Sequence, residues 1–292
     1  PVWLVKTHED MMKFLDEQLK KLDTPYVDFY ILHAMNNERM DAMQKLDYKR
    51  FYAEAIAQGK VRYPGFSFHD DAKAFLCILH DWDQWGMCQV QMNILDDENQ
   101  ATLDGIREAG RRGVGVVVME PLRGGLLANP PVDVKAVYDA YAVQRSPVEW
   151  GFRYLYAMPE VITILSGMST WAQVTDNLRI FDMTKRPTLT DEELALYQKV
   201  KATYLARTKT RCTGCKYCQP CPMGVQIPRI FQGYDAAMLR ADSSFKAGYA
   251  QIQADHADAS QCIHCRKCER VCPQHLPITR FLEEIHAAST AE

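Results

Sequence analysis

The chain has no run of about 18 apolar residues, the length a membrane-spanning helix needs, so no bilayer span is expected. It has no Gly-x-Gly-x-x-Gly after its first apolar run, which removes the fingerprint of an open dinucleotide-binding sheet. It has no stripe of aromatic residues interleaved with basic ones, and a nucleic-acid partner is therefore not expected. Low-complexity segments are absent too, and the one internal repetition is a pair of cysteine sets. Nor does the chain open with methionine. Pro1 leads straight into the apolar run Val2-Trp3-Leu4-Val5, read as a strand, and a preceding piece of chain is expected. Any targeting signal would lie in that piece, and a cytoplasmic protein is the reading from the remainder.

What the chain does have is cysteine, concentrated near its C-terminal end. Cys212, Cys215, Cys218 and Cys221 precede Pro222, and Cys262, Cys265, Cys268 and Cys272 precede Pro273. Thiolates at i, i+3 and i+6 can wrap one corner of a cubane, while a fourth cysteine before proline is directed to a neighbouring cluster. The second set follows Cys-x2-Cys-x2-Cys-x3-Cys-Pro in full. The first has only two residues before its last cysteine, which changes the reach of Cys221 and leaves the exchange of fourth ligands open. Tetrahedral zinc usually joins two Cys-x-x-Cys pairs across a longer loop, and disulfide scaffolds belong to small secreted domains. Two [4Fe-4S] clusters are the expectation. Cys77 and Cys88 lie in apolar surroundings and are read as small core residues.

At 292 residues the chain has room for one large domain and a smaller one. Its net charge of −3 is divided unevenly, with +6 over residues 207–280, −3 over 281–292 and −6 over 1–206. The basic stretch coincides with the cysteines, where two oxidised clusters with four thiolates each would add roughly −4.

Before the cysteines the chain alternates strand and helix. Thr7 with Asp10 reads as a capping box for a helix bearing Met11, Phe14, Leu15, Leu19 and Leu22 on one face. Strands are expected at 26–32, 61–66, 87–92, 114–119 and 161–165, with helices at 33–57, 70–80 and 98–111 between them. Ser146-Pro147-Val148-Glu149 starts another helix, and Thr190-Asp191-Glu192-Glu193 starts one that runs to about Ala206. Such alternation gives a parallel sheet covered by helices, as a barrel or as an open doubly wound sheet. Polar residues recur just after the strands, at Lys6, His33, Ser67, Gln89 and Ser166, which favours a (β/α)8 TIM barrel with its site at the strands' C-terminal ends. Six strands are counted, so two βα units are expected to be missing. The domains are expected at 1–206, an N-terminally incomplete barrel, and 207–292, a small helical two-cluster domain.

Lys6 and His33 end successive strands in this reading, so both would project into one barrel mouth. There a cation can lower a neighbouring hydroxyl's pKa and an imidazole can bind a carbonyl oxygen. At this point the sequence resembles the aldo/keto reductases, in particular the branch with a C-terminal pair of [4Fe-4S] motifs. The resemblance is carried by Val-Lys-Thr at 5–7, Tyr-Val-Asp-Phe-Tyr-Ile-Leu-His at 26–33, Gly-Phe-Ser-Phe-His at 65–69, Met-Glu-Pro-Leu-Arg-Gly-Gly at 119–125 and Asp-Asn at 176–177. It covers about residues 1–180 and the cysteine tail.

The resemblance implies that Lys6 and His33 are two members of a catalytic tetrad of Asp, Tyr, Lys and His. The other two would lie in a preceding segment of roughly 50 to 90 residues, the size of two βα units. Tyr would protonate the substrate oxygen, Lys6 would depress its pKa and His33 would orient the carbonyl while NADP or NAD delivers hydride. By the same resemblance Ser67 and Gln89 would hold the nicotinamide carboxamide, and Pro121, Leu122 and Gly124 would run along the pyrophosphate. The chain also departs from the family. Met119 stands where many members stack an aromatic ring, and Phe68 replaces an amide donor. In Ser166-Gly167-Met168-Ser169-Thr170, Gly167 replaces a lysine, and Gln173 replaces an arginine that grips the 2′-phosphate. Asn177 matches an adenine-contacting position.

The expected protein is an oxidoreductase acting on a small carbonyl or alcohol, with a flavoprotein or another redox partner for the clusters. Two other readings stay open: an electron-transfer module with the barrel as scaffold, and a reductase whose clusters are structural or sensing.

Overall fold

The structure is a computed structural model and describes residues 2–182, 186–212, 214, 216–272 and 274–291. Contacts divide it into two compact units, one of residues 1–128 and 145–191, the other of 129–144 and 192–292.

In the first unit the elements run α1 (His8–Leu22), β1 (Val27–Met35), α2 (Asn37–Lys45), α3 (Tyr48–Ala57), β2 (Val61–Phe68), α4 (Ala72–Asp81), β3 (Met87–Gln91), α5 (Thr102–Arg111) and β4 (Gly115–Met119). After α6 (Val132–Asp139), which belongs to the second unit, come α7 (Pro147–Tyr156), β5 (Val161–Ile164) and α8 (Trp171–Phe181). The five strands pair in chain order and all in parallel, the wall of a (β/α)8 barrel. Gly65 lets β2 and β3 approach, because a Cβ there would meet Met87 Cγ at 2.6 Å and Met87 O at 2.9 Å. An aromatic cluster fills the space under the returning helices. Tyr48 stacks on Trp85 at 5.5 Å, Phe66 meets Trp85 at 5.0 Å, and Trp85 Nε1 donates to Ile78 O at 3.0 Å.

Several expectations need correction. Val2–Leu4 is a 3-10 turn rather than a strand, closed by Val5 N–H donating to Val2 O at 3.1 Å. A strand requires a ladder partner, and the Thr7 capping box turns the chain into α1 before one can form. The helix expected over 33–57 is two helices, because β1 continues through His33 to Met35 and Asp47 takes a left-handed φ of 54° between α2 and α3. Cys77 is exposed. Helix α4 buries Ala74, Phe75, Ile78 and Leu79, and position 77 falls on the opposite face. Cys88 is buried as expected, and burial pushes its thiol up to about 12.

The second unit holds α6, α9 (Asp191–Ala206), α10 (Ile227–Arg240), α11 (Ser244–Ala254), the short α12 (Lys267–Arg270) and α13 (Ile278–Thr290). Its core gathers Val225, Ile230, Phe231, Tyr249, Leu282 and Ile285 around the cysteine loops. Arg207 reaches Asp133 with two bonds of 2.8 Å and Met238 O with one of 2.8 Å, tying α6 and α10 to the end of α9. By contacts α9 thus groups with the cysteine-bearing helices, although the sequence reading placed it with the barrel.

Candidate functional site

At the start of the first unit, Lys6 is exposed and its Nζ donates to Trp3 O at 3.2 Å. The Asp10 carboxylate fixes its backbone, accepting from Lys6 N and Thr7 N at 2.9 Å each. His33 is also exposed, on β1, and its ring packs against Trp3 with centroids 5.3 Å apart. Trp3 therefore connects the two expected tetrad residues. Arg39 lies over the other part of that assembly, 5.0 Å from the Trp3 ring, and its Nη1 donates to Ala34 O. Desolvation lowers the His33 pKa, and repulsion from nearby positive groups, His69 and Arg39 among them, adds to it. His33 also borders an open groove of about 510 Å³ between α1 and β1, lined by Val5, Phe14, Leu15, Phe29 and Ile31.

Ser67 is buried on β2, where its Oγ accepts from Ala34 N at 2.7 Å, which leaves the hydroxyl proton for another acceptor. Gln89 on β3 directs Nε2 to the Met119 sulfur at 3.7 Å, so the two expected nicotinamide neighbours touch each other. Pro121, Leu122 and Gly124 lie on a tight turn in which Glu120, Arg123, Gly124 and Gly125 all have positive φ. Asn93 Nδ2 donates to Glu120 O at 3.0 Å and to Asp96 Oδ2 at 2.9 Å, while Arg123 Nε approaches that same carboxylate at 3.5 Å. The Asn93–Asp96–Arg123 brace was not singled out in the sequence, because its members are ordinary polar residues brought together only by the strand ends.

After β5, the Thr170–Gln173 capping box forms as its spacing predicts. Gln173 Oε1 accepts from Ser169 N at 2.8 Å and Thr170 N at 3.2 Å, and Asn177 Nδ2 donates to Ser166 Oγ at 2.9 Å and to the Met168 sulfur at 3.3 Å. At Gly167 a Cβ would meet nothing within 4 Å. This segment offers neutral amides where a phosphate grip would need cations.

In the second unit the cysteines come together across the two sets. One cavity of about 320 Å³ is lined by Cys262, Cys265 and Cys268 together with Cys218 and Cys221 of the other set. A smaller recess of about 20 Å³ is lined by Cys212 and Cys218 together with Cys272. Cys215 lies outside the described residues. Among the described residues, no three His, Cys, Asp or Glu groups converge on a single ion position. Cys218, Cys221, Cys262, Cys265 and Cys268 instead surround the larger cavity, a disposition that suits a multi-atom cluster. Burial pushes the Cys268 thiol up to about 11, with the nearby Glu269 charge adding to the rise; burial also raises Cys262, and so do neighbouring Cys221 and Cys265.

The loops around these cavities are pinned by polar residues from the helices. Gly214 has φ +71°, a backbone conformation that favours glycine, and a Cβ there would displace the Gln232 side-chain amide. Glu269 Oε1 accepts from Thr279 N at 2.9 Å and Thr279 Oγ1 at 2.8 Å, fixing α12 to the start of α13. Asp235 of α10 accepts from the backbone just ahead of Cys212.

Comparison with known proteins gives two family matches in this order along the chain. The aldo/keto reductase family matches residues 5–202, and a 4Fe-4S dicluster domain matches residues 211–276. Among solved structures, an aldo-keto reductase from Bacillus halodurans is 24% identical with a TM-score of 0.55, the alignment covering 66% of this chain and 65% of that one. A thermostable aldo-keto reductase solved with the inhibitor epalrestat is 26% identical with a TM-score of 0.51, covering 66% and 67%. The chain thus spans about two thirds of the length of these structures. A search of curated proteins gives no match.

Proposed function

This chain belongs to the aldo/keto reductase family, and on that premise we propose that it is an iron–sulfur oxidoreductase coupling nicotinamide-dependent carbonyl or alcohol chemistry to one-electron carriers. The observation that carries the reading is the succession on one chain of an aldo/keto reductase match and a dicluster match. The cross-set cysteine cavity supports it. In this proposal the barrel domain covers 1–206 and the cluster domain 207–292.

Bound NADP or NAD would supply hydride. Lys6 and His33 would line the reacting end, with Ser67 and Gln89 beside the carboxamide, next to Met119. The braced turn with Pro121, Leu122 and Gly124 would follow the pyrophosphate. Gly167, Met168, Ser169, Gln173 and Asn177 would meet the adenosine end, where neutral amides favour no charge on the ribose and admit either nucleotide.

Two [4Fe-4S] clusters would supply one-electron transfer. We propose Cys212, Cys215, Cys218 and Cys272 as ligands of the first and Cys262, Cys265, Cys268 and Cys221 as ligands of the second, an exchange supported by the cavity linings. Arg211, Lys216, Arg266, Lys267 and Arg270 are all exposed and would suit an acidic partner, a flavoprotein being the carrier that converts hydride to single electrons.

The test is anaerobic kinetics on the full-length protein. Lys6→Met and His33→Ala are each expected to lower kcat for a carbonyl panel by roughly 10²–10⁴-fold while leaving nicotinamide binding intact. NADH or NADPH alone is expected to leave the clusters oxidised, and dithionite to reduce them. Unchanged turnover in both variants would remove the barrel from the chemistry. That result would support the scaffold reading.

A further inference from the structure

Asp235 is buried, 7% exposed, yet it lies on α10 and is neither a cysteine ligand nor a neighbour of one in the sequence. Its carboxylate takes in the whole turn before Cys212. Oδ1 accepts from Lys209 N at 2.9 Å and Thr210 N at 3.0 Å, while Oδ2 accepts from Arg211 N at 2.7 Å and Thr210 Oγ1 at 2.7 Å. The Thr210 hydroxyl, itself 1% exposed, in turn accepts from Cys212 N at 3.2 Å. A relay therefore runs from the Cys212 amide through the Thr210 hydroxyl to a buried negative charge.

The cations nearby do not cancel that charge. Lys209 Nζ pairs with Glu284 at 2.6 Å, Arg207 Nη1 pairs with Asp133 at 2.8 Å, and Arg211 Nη2 is directed to Leu205 O at 3.5 Å. Asp235 is answered by backbone N–H groups and one hydroxyl, which solvate a carboxylate without neutralising it. Charges of both signs lie by the two sets: Lys216 lines the recess of Cys212, Cys218 and Cys272, while Arg266 and Lys267 line the cavity of Cys262, Cys265 and Cys268, with Glu269 and Glu283 near Cys268 and Cys262. Cluster potential responds to net charge nearby and to hydrogen bonds that the ligand loop can make.

We propose that Asp235 is the positioning residue of the first cluster site: through Thr210 it holds the Cys212 loop, and its charge lowers that cluster's potential. The proposal rests on the two-cluster reading above.

The experiment is a mediator-buffered redox titration of the anaerobically purified full chain, followed by electron paramagnetic resonance and iron analysis. Dithionite supplies one electron per cluster. Asp235→Asn removes the charge at constant shape and should move one midpoint upward while the other stays. Thr210→Val keeps the charge but cuts the relay, and should change the g-values or iron retention of one cluster, with Thr210→Ser restoring them. If Asp235→Asn does not retain iron, the Thr210 pair still decides, because a Thr210→Val protein with wild-type iron and spectrum overturns the proposal. So does an iron-loaded Asp235→Asn protein with both midpoints unmoved. A wild-type protein that binds no iron at all would overturn the cluster reading beneath it.

Discussion

His33 shows how position on a strand decides the state of a titratable group. Its pKa lies below the ordinary 6.5, from desolvation first and then from neighbouring positive charge. A histidine with a lowered folded pKa binds fewer protons than the unfolded chain, so the stability linked to it declines as pH falls from about 6.5 through the lowered value. Proton resonance titration of the full chain should therefore give His33 a midpoint below 6.5, and a midpoint at or above 6.5 would contradict the environment described for it. The neutral ring keeps one N–H that can donate a hydrogen bond to a carbonyl oxygen. His33 was legible in the sequence because it ends an apolar run, although the strand continues two residues beyond it. Asp235 was not legible. Its partners lie 24 to 26 positions away, and nothing local marks an aspartate in mid-helix as the anchor of a loop.

Helix starts marked by a side-chain cap were legible because capping is local chemistry, whereas α5, expected from 98, begins at Thr102 with no side-chain cap bond. Thr7 with Asp10, Ser146 with Glu149 and Thr170 with Gln173 each form the bonds their spacing predicts. Asp10 does more than cap α1, since the same oxygen accepts from Lys6 N and so fixes where that lysine leaves the backbone. The backbone bond from Lys6, then that from Thr7, lowers the Asp10 pKa. A lowered carboxylate pKa contributes stability that is present above the unfolded value and lost as pH falls through the folded one. Asp10→Ala should thus lower Tm at pH 7 and lose that effect as pH drops below about 3.8, the ordinary value of the free group, in a pair of thermal scans. A Tm difference that persisted at low pH would point to packing instead. The elements misread were those decided by tertiary partners. Val2–Leu4 has the composition of a strand and no ladder to join, and α6 carries only Val134 and Tyr138 inward, too short a pattern to stand out.

At the scale of the whole molecule, the order of a parallel barrel wall followed by a cysteine-rich helical region was legible from alternation and spacing alone. The sharing of cavities between the two cysteine sets was not, because the shortened spacing before Cys221 left its direction undetermined. In the structure Cys221 faces the cavity of the second set, and Cys272 faces the recess of the first. With clusters bound, each set would be fastened by a residue from the far side of the helical insert. The chain between would be closed twice, over loops of about 40 to 60 residues whose closure entropy neither cluster could regain alone. Such a double buckle opens only when both tongues are free. Iron release to a chelator should accordingly be all-or-none, about eight iron leaving in one kinetic phase, and Cys272→Ser should hasten loss from both sites rather than one. Two well-separated phases of four iron would mean the fasteners work independently. The crossed arrangement thus gives the iron a shared lifetime: an oxidant that damages either cluster sets the clock for the pair.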